Sequence, residues 1–244
     1  MTERFTSPGS ADLSSSVASL NGRLIPVVMA PRVYHVGTLS DVPPPRQRRY
    51  SLEGHAVSVS VDPAAWQRIA RLGGQTRTIE MNGHPLLDML RIEEGAFAGL
   101  RSAVDAFALK SGLAVPGTVY RSETIYEDED IGWSFHSTYE EALQEAYGDP
   151  DAVAEVQQLV PTERLAKLAR VEKVDLSLVR DFITMQYAEQ ILDLPGVWWA
   201  ETYAPEHLSA PRGGIFPREL GRGRLTFKNR EPLAAPPDCL APGR

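Results

Sequence analysis

Hydrophobic and polar residues follow a two-residue period in several short runs of the first third of the chain, as they do in strands. Residues 24–29 are a continuous apolar run, which predicts a buried strand. Residues 33–38, 51–60 and 76–81 alternate and end in small or polar residues, so each predicts a further strand.

The helical period appears first in residues 96–109 and again in residues 178–191. The apolar positions of the first of these helices are Phe97, Leu100, Val104 and Phe107. A short helix over 85–92 and two helical pieces over 149–170, separated at Pro161, are also predicted. Ser137 and Glu140 have the spacing of a capping box, which predicts that a helix begins after Ser137.

Residues 196–220 are interpreted as two short strands joined by a polar loop. Val197-Trp198-Trp199 has the β-branched and aromatic character of a strand, and Ile215-Phe216 begins the second one after a flexible Gly-Gly pair. In an extended segment the two tryptophans point to opposite faces, so at least one of them belongs to the core. Two such strands with aromatic residues at the entry can form a wall of a ligand cleft.

Strands and helices therefore alternate irregularly, and several strands are neighbours in sequence. This pattern predicts an α+β fold with a mixed, mostly antiparallel split sheet flanked by helices in a single domain. Residues 1–22 are expected to be a flexible arm, residues 23–230 the domain, and residues 231–244 a disordered Pro/Ala-rich tail.

The composition narrows the class of protein. The 244-residue chain has a formal net charge of −7, so it has no surplus of cations with which to coat nucleic acid. Its one cysteine, Cys239, forms no internal disulfide, and the chain has neither a secretory signal nor an apolar run of membrane-spanning length. We expect a cytoplasmic protein that does not associate with membranes.

Common catalytic motifs are missing from the sequence. The five histidines lack the spacing of metal ligands, and the acidic run 127–130 is more typical of a solvated turn than of a cation site, so no metal is predicted. The chain has no G-x-S-x-G elbow and no phosphate-binding glycine loop. Polar residues at the ends of short strands remain as the candidate chemistry.

Three segments carry a resemblance to a known family. They are Tyr34-His35-Val36-Gly37-Thr38, residues 132–147 with Glu141-Ala142-Leu143, and Gly196-Val-Trp-Trp followed by Gly214-Ile-Phe-Pro. Together they resemble the diphtheria-toxin-like and poly-ADP-ribose-polymerase-like branch of the ADP-ribosyltransferases. The first differs from the family's Tyr-His-Gly-Thr by the inserted Val36. The resemblance implies an NAD-binding protein that transfers ADP-ribose to a protein or nucleic-acid acceptor, with a toxin-like role.

The resemblance also implies roles for particular residues. His35 would position the ribose, Glu201 would stabilise the cationic sugar of the transition state, and Arg212 would hold the pyrophosphate. The remaining expected cofactor contacts are Tyr34, Gly37, Thr38, Ser58 and Tyr120. The family's Gln-x-Glu or Glu-x-Glu pair does not occur, so the catalytic acid would be Glu201 or Glu219.

Two other functions remain open. One is a non-enzymatic protein that binds a partner, such as one half of a toxin and neutraliser pair. The other is a hydrolase or nuclease that uses His35 and His136 as acid and base. An enzyme of the first kind should release nicotinamide from NAD, whereas a binding module should form a stable complex without turnover.

Overall fold

A computed structural model describes residues 13–37, 39, 47–49, 56–64, 75–125, 131–169, 171–199 and 212–228. Thr38 and Glu201 lie outside the described residues, as do the predicted tail 231–244 and the acidic run 127–130. Statements below about the molecule refer to the described part of the chain.

The fold is α+β, with a mixed and mostly antiparallel sheet, as the pattern predicts. The strands are β1 Ser14–Leu20, β2 Arg23–Met29, β3 Arg32–Val36, β4 Gln47–Arg49, β5 Val57–Ser60, β6 Thr76–Glu80, β7 Leu86–Asp88, β8 Ala114–Ile125, β9 Ile131–His136, β10 Val153–Pro161, β11 Val171–Lys173, β12 Gly196–Trp198, β13 Arg212–Ile215 and β14 Thr226–Phe227. The α-helices are α1 Ala98–Ser111, α2 Tyr139–Glu145, α3 Glu163–Ala169, α4 Val179–Gln190 and α5 Glu219–Arg222.

Within this fold the described residues group into two compact units. The first takes its residues from 1–45, 53–101 and 188–244, and the second from 46–52 and 102–187. The chain passes from the first unit to the second within α1 and returns within α4. The predicted domain boundaries stay a prediction.

The first unit is built on a nine-stranded sheet in the order β1-β2-β7-β12-β13-β5-β3-β6-β14. Its pairs are antiparallel except β7 with β12, which run in parallel. The buried apolar cluster on one face of this sheet includes Val28, Val33, Val59, Ile79, Leu86, Trp198 and Ile215. Burial of these side chains is the main favourable contribution to the stability of the unit.

The second unit contains a three-stranded antiparallel sheet in the order β10-β8-β9 and a parallel pair, β4 with β11. α2 packs against β8 and β9, and α3 packs against β10 and β11. Phe107 of α1 and Tyr187 of α4 meet edge to face with ring centroids 5.6 Å apart, which joins the two longest helices.

Two predicted helices are wrong. Residues 85–92 form β7 and then a 3-10 turn, Leu90–Glu93, because the parallel partner β12 and the antiparallel partner β2 recruit the short apolar run into the sheet. Residues 153–161 form β10, which pairs with β8 along its whole length. Short apolar runs do not distinguish helix from strand, and the tertiary pairing decides.

Two further differences concern the start of the chain and a helix cap. Residues 14–20, inside the predicted arm, form β1 and pair with β2. The cap of α2 is Thr138, one residue after the predicted Ser137, and its hydroxyl accepts a hydrogen bond from the Glu141 N–H at 3.2 Å. Among the described residues, no helix combines the length and the apolar character that crossing a bilayer requires.

Candidate functional site

The two tryptophans at the end of β12 lie on opposite faces of the sheet, as expected. β12 and β13 pair in antiparallel fashion, with Trp198 opposite Gly213. A Cβ atom on Gly213 would lie 2.6 Å from the Trp198 ring, and one on Gly214 would lie 3.2 Å from the Trp199 ring. The Gly-Gly pair is therefore not a bend but part of β13, where it leaves room for one indole on each face.

A row of polar side chains crosses the sheet on the Trp199 face. The Trp199 N–H donates to the Arg212 carbonyl at 3.0 Å, Arg212 pairs with Ser60, and Tyr34 pairs with both Ser60 and Thr78. Directly opposite side chains share a face, so these residues of neighbouring strands lie side by side. We call Trp199, Arg212, Ser60, Tyr34 and Thr78 the polar row.

Ser58 lies on the same face as the polar row, two residues before Ser60 and opposite Gly214. Ser58, Tyr34 and Arg212 are half-buried, whereas Ser60 is fully buried. The Ser60 hydroxyl accepts from the Asp62 N–H at 3.0 Å and donates to the Asp62 carbonyl at 3.2 Å. Ser60 therefore holds the end of β5, and the half-buried groups form the accessible part of the row.

His35 belongs to the other face. It follows Tyr34 in β3 and pairs with Arg77 of β6, in line with the buried Val33 and Ile79. The ladder between β3 and β5 is formed by the pair of Tyr34 and Ser60, and beyond it the His35 Nδ1 atom lies 2.8 Å from the Ser58 carbonyl oxygen. The imidazole thus spans the gap where the two strands separate.

Gly37 completes this corner of the sheet. Its φ of 120° is a conformation that favours glycine, and a Cβ atom there would lie 3.5 Å from the His35 Nε2 atom. The Gly37 N–H donates to the Gln75 carbonyl at 3.1 Å, and the Arg77 Nε–H donates to the Gly37 carbonyl at 3.3 Å. The structure therefore brings His35, Gly37 and Ser58 together, with Arg77 as a further member.

Arg212 and His35 do not share a face of the sheet, although both lie in the first unit. Their separation follows from the register, because Arg212 aligns with Tyr34 and side chains alternate along β3. Tyr120 lies in the second unit, on β8, beside His136 of β9. The roles of Glu201 and Thr38 lie outside the described residues.

Glu219, the alternative catalytic acid, is fully buried in an ion-pair network. Arg224 contacts its carboxylate through two nitrogens, at 2.6 and 2.9 Å, and Arg218 lies 3.3 Å from it. Arg224 and Arg222 also bind Asp193, and the hydrogen bond from Arg222 is the main reason why the pKa of Asp193 lies below its ordinary value. These contacts explain Glu219 as a structural anion of α5.

Asp88 is a second buried acid, at the carboxyl end of β7. It is 2% exposed, and its Oδ1 atom has no hydrogen-bond partner among the described residues. Burial raises the pKa of Asp88, and the Arg91 and Leu90 N–H groups partly oppose that effect. Asp88 pairs with Trp198 rather than with a member of the polar row.

In the second unit, His136 is bound to a serine. Its Nε2 atom lies 2.9 Å from the hydroxyl of the fully buried Ser122, and Tyr139 packs edge to face on the neighbouring Tyr120. The burial of Ser122 withholds it from a substrate, so this pair is a structural hydrogen bond rather than a nucleophile and its base. In the ranges described, no three His, Cys, Asp or Glu side chains are grouped as metal ligands.

No family model, curated protein or solved structure matches this chain. The site is therefore argued from its own residues and geometry.

Sequence reasoning missed three residues of interest, and for one of them a signal exists. Arg77 is 5% exposed and falls in phase with Ile79 and Met81 of β6, so an arginine interrupts the apolar face of an alternating strand. The unpaired atoms of Trp199 and Asp88 have no counterpart in the sequence pattern, because they depend on what surrounds each side chain.

Proposed function

We propose that the chain binds NAD on the polar row and transfers its ADP-ribose group to a macromolecular acceptor. The observation that supports the proposal best is the alignment of Arg212 and Tyr34 on one face, with Ser58 beside them. These three residues stand on three adjacent strands, so the sheet fixes their spacing at about 5 Å per strand. They combine one guanidinium with hydroxyl groups and an aromatic ring, which suits a sugar–phosphate ligand.

Each group has a definite task in this proposal. The fork of Arg212 pairs with pyrophosphate oxygens, the Ser58 hydroxyl binds a ribose hydroxyl, and the Tyr34 ring packs against a planar base. The bond between nicotinamide and ribose breaks with both electrons leaving on nicotinamide. The acceptor then forms the new bond to the sugar and loses a proton. A carboxylate stabilises the developing sugar cation, and Glu201 remains the predicted one.

The proposed role of His35 differs from the one implied by the family resemblance. Its ring nitrogen is 2.8 Å from the Ser58 carbonyl, on the face opposite Arg212. His35 therefore acts as a positioning residue, which holds β5 so that the Ser58 hydroxyl keeps its place on the other face.

The test is NAD binding measured by calorimetry on the folded protein and on Arg212→Gln. Loss of a hydrogen bond between charged groups costs about 1.5–3 kcal/mol, so we expect Kd to rise by roughly tenfold to a hundredfold. Arg180→Gln is the matched control, because it removes the same charge from a half-exposed ion pair with Asp105 in the second unit. This control should bind NAD as the unaltered protein does.

Nicotinamide release separates transfer from simple binding. We expect Glu201→Gln to bind NAD and to lose turnover. A folded protein that does not bind NAD would contradict the proposal. If that protein instead formed a stable complex with a partner, the non-enzymatic alternative would be favoured, and the exposed Trp133, stacked under the Arg121 guanidinium at 4.8 Å, would be its first candidate contact.

A further inference from the structure

Trp199 carries a polar atom for which the fold provides no acceptor. The side chain is 7% exposed, and its Nε1–H has no hydrogen-bond partner among the described residues. Buried donors are paired in the great majority of native proteins, since an unpaired donor loses its bonds to water and gains nothing in return. Such an atom in a folded protein requires an explanation, and a ligand that supplies the acceptor is one.

The position of the indole connects it with the polar row. Its ring lies over Gly214, which pairs with Ser58, and its backbone is bonded to Arg212. Both neighbours are groups that the proposed function assigns to the ligand. The indole therefore lies next to the place where the pyrophosphate is proposed to bind, rather than elsewhere in the core.

The charge of the neighbouring residue indicates which acceptor the N–H meets. A guanidinium on the adjacent strand attracts an anion, and a hydrogen bond to an anionic oxygen is stronger than one to a neutral carbonyl. Indole N–H is a donor only, so it discriminates against groups that would have to donate to it. Close packing of the ring on Gly214 fixes the donor before the ligand arrives.

We propose that the Trp199 Nε1–H and the Arg212 guanidinium together form a subsite for the phosphoryl oxygens of a diphosphate-containing ligand. This inference rests on the proposed function for its location and adds the phosphate-binding donor. The indole donates one hydrogen bond to a phosphoryl oxygen, and no covalent step is involved.

The experiment measures binding of pyrophosphate, ADP-ribose and NAD to the unaltered protein and to Trp199→Phe. Phenylalanine keeps a ring over Gly214 and removes the donor. We expect all three ligands to bind about tenfold more weakly, because all three contain the diphosphate. Trp133→Phe is the control, since it removes an exposed indole N–H from the second unit and should leave the three affinities unchanged.

A measurement on the unaltered protein removes the dependence on folding of the variant. In a nitrogen-15 spectrum, the indole N–H signal of Trp199 should shift when pyrophosphate is added. A Trp199 signal that stays in place at saturation, or equal affinities in a folded Trp199→Phe protein, would overturn the subsite.

The two proposals fail in different ways. If NAD binds and Trp199→Phe makes no difference, the subsite is wrong and the proposed function stands. If pyrophosphate binds through Trp199 and NAD binds no better than pyrophosphate, the subsite stands and NAD is not the ligand. If none of the three ligands binds, both proposals are wrong.

Discussion

At the scale of single residues, Gly213 and Gly214 decide how the candidate site is built. The indoles of Trp198 and Trp199 approach the backbone of β13 from opposite faces, at the two consecutive positions where no Cβ atom is present. The first indole closes the core, and the second becomes the floor beside Arg212 and Ser58. A flexible appearance in sequence thus corresponds to close packing in the structure.

The substitution Gly214→Ala tests this packing. The new Cβ atom would lie 2.6 Å from the Cβ atom of Ala56 and 3.2 Å from the Trp199 ring, so one of them has to move. We expect a loss of about 1–3 kcal/mol in the free energy of unfolding, measured with urea. Gly221→Ala in α5, where a Cβ atom meets nothing within 4 Å, should be neutral or slightly stabilising. Equal effects of the two substitutions would contradict the argument.

At the scale of elements, the pairing of neighbouring strands accounts for what the sequence pattern does and does not predict. β2, β3, β5 and β6 are predicted because each has a long enough apolar or alternating run of its own. β7 is not, since three apolar-rich residues become a strand only between β2 and β12.

The candidate site was partly predictable for the same reason. Tyr34, Ser58 and Arg212 could be named because polar residues at strand ends are visible in the sequence. Their alignment with one another, and the position of His35 on the opposite face, depend on the register of β3, β5 and β13, which the sequence pattern does not specify.

The start of α2 provides a test at this scale, because sequence and structure assign its cap to different residues. Thr138→Ala removes the hydroxyl that accepts from the Glu141 N–H, so it should lower the free energy of unfolding by about 0.5–2 kcal/mol. Ser137 contributes its backbone N–H, which donates to the Glu141 carboxylate at 3.2 Å and which alanine retains. Ser137→Ala should therefore change stability by less than about 0.5 kcal/mol. A larger effect at Ser137 would restore the cap predicted from the sequence.

At the scale of the whole molecule, buried and paired carboxylates give the stability of the protein two opposite responses to pH. Arginine and lysine partners hold the pKa values of Asp193, Glu94 and Glu80 below their ordinary values. The stability that these groups contribute is present above the pKa of the unfolded chain and is lost as the pH falls through the lowered values. Asp88, whose pKa is raised, acts in the other direction.

The contribution of Asp88 can be isolated with Asp88→Asn. Because its folded pKa lies above the ordinary value of 3.8, the protonated carboxyl stabilises the fold below that pH, and the stability is lost as the pH rises through the raised value. Asparagine has a similar shape and does not ionise. It places an amide donor near the position of the unpaired Oδ1 atom, but that cost is the same at every pH. The difference in unfolding free energy between variant and unaltered protein should therefore shift in favour of the variant between about pH 4 and pH 7, because all other groups titrate alike in both. Urea denaturation at a series of pH values measures this difference, and a difference that stays constant would show that Asp88 keeps its ordinary pKa in the folded protein.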